Sequence, residues 1–370
     1  MQNLNIEAPC SLRELVSAQP DLERPPRAAT LRALAALAQD AEERERLVSI
    51  AEDAREYREY VETCRRSLIA VLEDFPSVCS ADVGQLLSVI PRLQPRPYSI
   101  ASSPSLHKGQ VHLCVAMVRV ASSLEAARGA RRGICSSFLA ALGARSILPI
   151  AISNQAKGVG WGGLTFDFAK PAVLVGPGTG IAPMRAFLHE LHYRRQRGDA
   201  SLCPVLAFFG FRHKLGDFLY GHELCAWTRE THTRESTAGI LGEPKPVPVT
   251  NNDSSSLNVS IHIAFSRDLQ KDGRLGKEED LIRGHDGEHV DENGGKDYVQ
   301  HHILREGKRV WELLRQGGAI YVAGSAGAMP RDVERALCRT AEMHGGLGPQ
   351  QAREWAAHLR ISRRLQIECW

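Results

Sequence analysis

The chain has 370 residues, more than one ordinary core, so two domains and a third, small one are expected. Apolar residues make up 43% and charged residues 24%, an ordinary globular composition; 46 Lys and Arg against 43 Asp and Glu leave a net charge of +3, which argues against a nucleic-acid binder held by charge. No run of about 18 apolar residues is present to span a membrane, and the opening MQNLNIEAPC lacks the basic-then-apolar pattern of a secretory signal. Nine cysteines with no CxxC pair fit reduced thiols in the cytoplasm better than a disulfide framework or a thiolate metal site.

Residues 28–75 read as helices. Leu31, Leu34 and Leu37, then Leu47, Ile50 and Ala51, then Leu68, Ile69 and Leu72 form apolar stripes, and Phe75-Pro76 ends the last. After Pro91 the texture changes. Residues 98–101 and 111–118 read as strands joined through Gly109, and 133–142 as a small-residue turn entering a short helix. From Pro171 strand and helix alternate, with strands at 172–175, 205–209, 261–265 and 319–323. One helix is expected from Met184 to about Arg197 and another from near Pro330. That alternation predicts an α/β domain with a doubly wound parallel sheet. The stretch 242–258 (Pro, Asn, Ser) and the stretch 270–297 (charged, Gly-rich) read as solvated insertions. His285, Asp286, Glu288 and His289 have metal-ligand chemistry, but no packed element holds them, and no metal site is expected.

Gly176-Pro177-Gly178-Thr179-Gly180 lies between an apolar strand and a helix. Such a turn lets the backbone approach a phosphate and offers the free N–H groups of a helix start; alone it is equally a tight connection. Arg96-Pro97-Tyr98-Ser99 sets a guanidinium, a ring and a hydroxyl on one strand, suited to a planar phosphate-bearing ligand or simply an exposed strand. Ser266-Arg267 ends a strand where dinucleotide riboses lie, and an Arg there favours a 2′-phosphate. Trp370 is a packing anchor, a frayed end or a cover for a flavin ring.

Taken together, RPYSIASS (96–103), GICSSFLAAL (133–142), VGPGTGIAP (175–183), FFGFRHKLGDFLY (208–220), AFSRD (264–268), KDYVQ (296–300) and YVAGSAGAMPRDV (321–333) resemble the diflavin reductases, the family of the microsomal NADPH–cytochrome reductase, in the family's order. The resemblance implies a helical connecting segment over 1–90, a partial antiparallel β-barrel FAD domain over 91–169 and the NADP-binding α/β domain over 170–370. It implies that Arg96, Tyr98 and Ser99 form the FAD-binding strand and that Gly133, Ile134, Cys135 and Ser136 form the turn for the FAD pyrophosphate. Gly178, Thr179 and Gly180 resemble the NADPH phosphate loop; Ser266, Arg267, Lys296, Tyr298 and Gln300 match the 2′-phosphate and ribose contacts. Asp332 belongs with the cofactor contacts, and Trp370 covers the flavin.

The implied chemistry is hydride transfer from NADPH to FAD, with Ser99, Glu368 (Asp in relatives) and Trp370 at the reacting rings. Electrons then pass singly to FMN and on to an acceptor protein. RRGICSSFLAAL, Ala323 (Cys in most relatives) and the ending RRLQIECW resemble the branch whose acceptor is an iron–sulfur protein of cytosolic cluster assembly. No nucleic-acid or membrane partner is implied. The chain is expected to begin inside the connecting segment, near Pro9-Cys10-Ser11, without an FMN domain or the first barrel strands, and the stretch 270–297 must loop out for Arg267 and Lys296 to meet one phosphate. Two other readings stay open: a non-catalytic remnant that binds NADP(H) but no flavin, and a stand-alone ferredoxin–NADP reductase, which the helical segment disfavours.

Overall fold

Apolar stripes and side-chain caps build the N-terminal helices of the protein, seen here in a computed structural model that describes residues 11–18, 20–120, 131–152, 163–199, 201–229, 259–267 and 296–370. The stretch 242–258, residues 270–295 with the His285–His289 group, and Pro9-Cys10 lie outside the described residues. The chain divides into two compact units, Met1–Pro97 with Ala116–Pro149, and Tyr98–Val115 with Ile150–Trp370.

In the first unit, α1 (Leu12–Ala18) opens on Ser11, whose hydroxyl and N–H both donate to Glu14 (2.8 and 2.7 Å), a capping-box start. α2 (Ala28–Ala35) and α3 (Ala41–Glu52) follow, α3 capped by the Asp40 carboxylate accepting from Glu43 N–H. Asp53 caps α4 (Ala54–Tyr57) in the same way, and that helix runs into a π-helical turn, Arg58–Thr63. α5 (Leu68–Asp74), the 3-10 turn Pro76–Ser80 and α6 (Val83–Val89) complete the helices. Leu31, Leu34, Leu47, Ile50, Leu68 and Val71 form the core, with Leu37 and Leu72 at its margin. Ile69, expected in the stripe, is instead 42% exposed, because α5 turns Val71 inward in its place. The unit also holds a short antiparallel pair, β1 (Arg119–Val120) and β2 (Arg131–Arg132), and α7 (Ile134–Ala141), the short helix expected after Gly133.

The second unit opens with residues 98–115, where two strands were expected. The chain turns at Gly109 and pairs antiparallel, but only through one bridge, Ile100 with Leu113. The reason lies in two side-chain contacts. The Ala101 carbonyl accepts from Arg185 and the His112 N–H donates to the Ser102 hydroxyl, so side chains take the backbone groups that a longer ladder needs.

The rest of this unit is the expected parallel sheet. Its strands are β3 (Ala172–Val175), β4 (Val205–Phe211), β5 (Val259–Phe265), β6 (Ala319–Gly324) and β7 (Leu365–Cys369), in the order β5-β4-β3-β6-β7. The 3-10 turn Gly178–Gly180 and α8 (Ile181–Gln196) follow β3; α9 (Gly221–Arg229) follows β4. α10 (Val299–Arg305) and α11 (Gly307–Arg315) precede β6, and α12 (Met329–Gly345) and α13 (Pro349–Ile361) lie between β6 and β7. β3 is buried on both faces. Ala172 and Leu174 pack with Ile181, Met184, Phe187 and Leu188 of α8, while Val173 and Val175 pack with Val299, Val310, Leu337 and Leu359 of the later helices. α8 begins three residues before the expected Met184, since Pro183 fits the first turn of a helix. β7 was not expected: LQIEC alternates weakly, and the strand exists because β6 offers it a complete parallel edge, from Ile320–Leu365 to Gly324–Cys369.

Candidate active site

In parallel strands every carboxyl end reaches the same edge of the sheet, where open α/β sheets hold their ligands. That edge carries Gly176–Gly180 after β3, Ser266-Arg267 after β5, Gly324 at the end of β6 and Trp370 after β7. The first turn is tightly specified. A Cβ on Gly180 would lie 2.0 Å from the Ala323 carbonyl oxygen, and one on Gly176 would lie 2.6 Å from the Gly180 oxygen. Gly178 differs: its φ is +58°, and nothing lies within 4 Å of the position its Cβ would take. No side chain caps α8, whose first turn follows directly. A left-handed glycine beside open space, leading into an uncapped helix start, fits a phosphate group.

Across the same edge the structure brings Ser99 and Glu368 together, although 269 residues separate them; the Ser99 hydroxyl donates to Glu368 Oε1 at 2.7 Å. Burial pushes the Glu368 carboxyl above the usual range, and the hydrogen bonds from Ser99 and the Leu164 N–H pull it back only in part. Trp370 is held by its backbone, its N–H on the Gly324 carbonyl and its own carbonyl accepting from Ala326 N–H, both at 3.1 Å. The residue is 51% exposed, so an anchored backbone leaves the aromatic side chain open. Tyr98 is half-buried. A hydroxyl–carboxyl pair beside an exposed indole is a donor set that fits the polar edge and flat face of a flavin.

At the end of β5 the Ser266 N–H and the Arg267 N–H are fixed on the Phe211 and Arg212 carbonyls, both at 2.9 Å, leaving the Arg267 side chain exposed. Lys296 is exposed, while Tyr298 and Gln300 at the start of α10 are half-buried. Next to them, burial pushes the Asp297 carboxyl up, but the His302 hydrogen bond and nearby Arg305 outweigh it and hold it low. Asp332, in the first turn of α12, pairs with Arg335 at 3.1 Å.

In the first unit, a Cβ on Gly133 would meet Val118 Cβ at 2.7 Å and Ser136 Oγ at 2.8 Å. The Ser136 hydroxyl donates to the Gly133 carbonyl and accepts from Val118 N–H, so it is spent inside the turn. What the turn offers a phosphate is therefore the start of α7, which no side chain caps and where Ile134 and Cys135 are not fully buried. Arg96 donates to the Gln94 carbonyl (2.6 Å) and faces the buried Asp21 carboxylate (3.4 Å). Sequence reading passed over Arg185, which touches the Ser99 segment; an Arg inside an otherwise apolar helix turn carries no motif.

A doubly wound sheet with a phosphate-fitting turn, beside a corner that fits a flavin, is the layout of an FAD- and NADP(H)-binding module. The FAD binding domain family matches residues 1–138, and the oxidoreductase NAD-binding domain family matches residues 174–246. The chain is 36% identical over 308 residues to NADPH-dependent diflavin oxidoreductase 1 of Arabidopsis thaliana, covering 83% of this chain and 41% of that protein. It is 30% identical over 314 residues to the NADPH–cytochrome P450 reductase of Oryctolagus cuniculus (83% and 37%) and 29% identical to that of Cavia porcellus (83% and 38%). The chain is similar to the part of the diflavin reductases that carries their FAD- and NADP-binding domains, and it spans about two-fifths of the length of these relatives. Among the described residues, no helix is long and apolar enough to cross a membrane.

Proposed function

We propose that the chain takes hydride from NADPH onto FAD and passes electrons onward to an FMN or iron–sulfur carrier protein, as in cytosolic iron–sulfur cluster assembly, and that it works in the cytoplasm. In this reading residues 1–90 are the connecting segment, 91–169 carry FAD contacts and 170–370 carry NADPH. Bound NADPH supplies the hydride and FAD accepts it. Gly178, Thr179, Gly180 and the start of α8 would hold the NADPH phosphates. Ser266, Arg267, Lys296, Tyr298 and Gln300 would hold the ribose and its 2′-phosphate, with Asp332 nearby. The turn from Gly133 through Ile134 and Cys135 to Ser136 would take the FAD pyrophosphate, and Arg96, Tyr98 and Ser99 would form the FAD-binding strand, with Tyr98 against the flavin. Ser99 holds a proton at its Oγ that Glu368 orients; Glu368 sets negative charge where a nicotinamide becomes cationic; Trp370 keeps water from an exposed ring face.

The observation that supports this most is the Ser99–Glu368 hydrogen bond beside Trp370, on the sheet edge that also carries the glycine turn. The purified chain should be yellow, with a flavin spectrum bleached by NADPH. A colourless protein that takes up no added FAD would favour the remnant that binds only NADP(H), and flavin content per chain decides between them. Cofactor choice gives a second test. Arg267→Ala should weaken NADPH use about 10- to 100-fold, the worth of a charge-assisted contact, and leave NADH use nearly unchanged. Equal losses would remove Arg267 from the 2′-phosphate.

A further inference from the structure

The helix that starts at the glycine turn also grips the segment that carries Ser99. Arg185, in the second turn of α8, is only 8% exposed. Its Nη1 donates to the Ala101 carbonyl at 2.6 Å and to His112 Nδ1 at 3.3 Å. Its Nε and Nη2 both reach Glu223 Oε2 of α9 at 2.9 Å. The guanidinium lies over the Tyr220 ring, 4.4 Å from its centre. Tyr220 holds that place with φ at +55°, a conformation costly for an aromatic residue. The other Glu223 oxygen bonds to His189 Nε2, and His189 Nδ1 in turn faces His107 Nε2 at 3.1 Å. Burial, followed by the Arg185 charge, holds His112 below the ordinary range, which suits its role as a neutral acceptor.

A guanidinium taken out of water is tolerated only when its donors are satisfied, and this one is satisfied by Glu223 of α9, the His112 ring and one backbone carbonyl. The carbonyl is the informative partner. Ala101 is fully buried and stands two residues from Ser99; in extended chain, residues two apart share a face. We propose that Arg185 is a positioning residue. By fixing the Ala101 carbonyl it sets where Ser99 meets Glu368, and it links the helix of the glycine turn to that corner. Its catalytic meaning rests on the reductase reading, but the link itself belongs to the chain without cofactor.

The test therefore has two arms. In the full chain without added nucleotide, amide hydrogen exchange is followed for wild type, Arg185→Met and Arg185→Lys. Arg185→Met should speed exchange over residues 98–104 by about 10-fold or more, with amides of β3, β4 and β6 unchanged. Arg185→Lys keeps a charge for Glu223 but cannot fork to Ala101 as well, so it should be intermediate; should the Met variant fail to fold, the Lys variant decides. In the flavin-loaded chain, kcat should fall about 10-fold while KM for NADPH stays within about twofold. Unchanged exchange over 98–104 in a folded variant overturns the inference whatever the flavin content, and so does loosened exchange with full kcat. A wild type that takes up no FAD instead overturns the reductase reading, and the exchange arm still decides whether Arg185 holds the segment.

Discussion

Gly180→Ala is expected to destabilise the sheet-bearing unit by roughly 3 kcal/mol, the upper part of the range for overpacking a tight interior, and to lower its Tm by roughly 6–12 °C. The backbone at Gly180 is ordinary, with φ at −61°, so the cost is purely one of space. The new methyl would sit 2.0 Å from the Ala323 oxygen and 2.6 Å from its carbonyl carbon, and both are main chain of a fully buried central strand. Neither can swing aside as a side-chain tip would, so the turn must lift from β6. Gly178→Ala inverts this pattern. Its φ of +58° imposes roughly 1 kcal/mol on an alanine, but the methyl meets nothing within 4 Å. The open space it enters is the space proposed for a phosphate. Gly178→Ala should therefore melt within a few degrees of wild type and yet bind NADP+ at least about 10-fold more weakly. Calorimetry of melting and of NADP+ binding on both variants separates the cases. A destabilised Gly178→Ala with normal NADP+ affinity would show that the turn serves only the fold.

That contrast also marks what could be read in the sequence. β3 is a short, wholly apolar run bounded by Pro171 and Gly176, and its span was legible to the residue because a strand buried on both faces leaves no other pattern. Strands β4 and β6 were found for the same reason, whereas β5, half-buried at the other edge, was legible only from Ile261, two residues after it starts. β7 was not, because its half-buried side chains at the sheet's edge leave a mixed pattern; what makes it a strand is its neighbour, not its composition. The opposite error fell on residues 98–118, whose alternation suits a strand. Arg185 and the Ser102 hydroxyl claim two of the backbone groups that pairing needs, and both are tertiary events without a local signature. The same holds for function. The glycine turn and Ser99 lie in recognisable strings, whereas Arg185, Glu223, His189 and Tyr220 are scattered over α8 and the start of α9, and only folding makes them a group.

The second large effect is expected at the Ser99–Glu368 pair. Ser99→Ala should slow reduction of bound flavin by NADPH about 100-fold, the loss typical of removing one preorganised donor, with little change in fold. Glu368→Gln should slow it as well, since it keeps an oxygen for Ser99 and loses only the charge. The pH dependence separates this from a stability effect. Burial raises the Glu368 carboxyl in the folded chain, so the fold prefers its protonated form. That contribution is fully present below the ordinary carboxylate value and is lost as pH rises through the raised one. Above that raised value the wild type carries a buried charge that Glu368→Gln lacks, so there the variant should melt no lower than wild type, with the gap closing as the pH is lowered through it. A chain that is at least as stable and yet much slower assigns the carboxylate to chemistry. The double variant completes the argument. If Ser99 acts through its bond to Glu368, the two losses overlap, and Ser99→Ala with Glu368→Gln should be little slower than the worse single variant. Stopped-flow reduction of the three variants reads this directly; full rate in Ser99→Ala, or losses that simply multiply, would mean that the pair does not work as a unit.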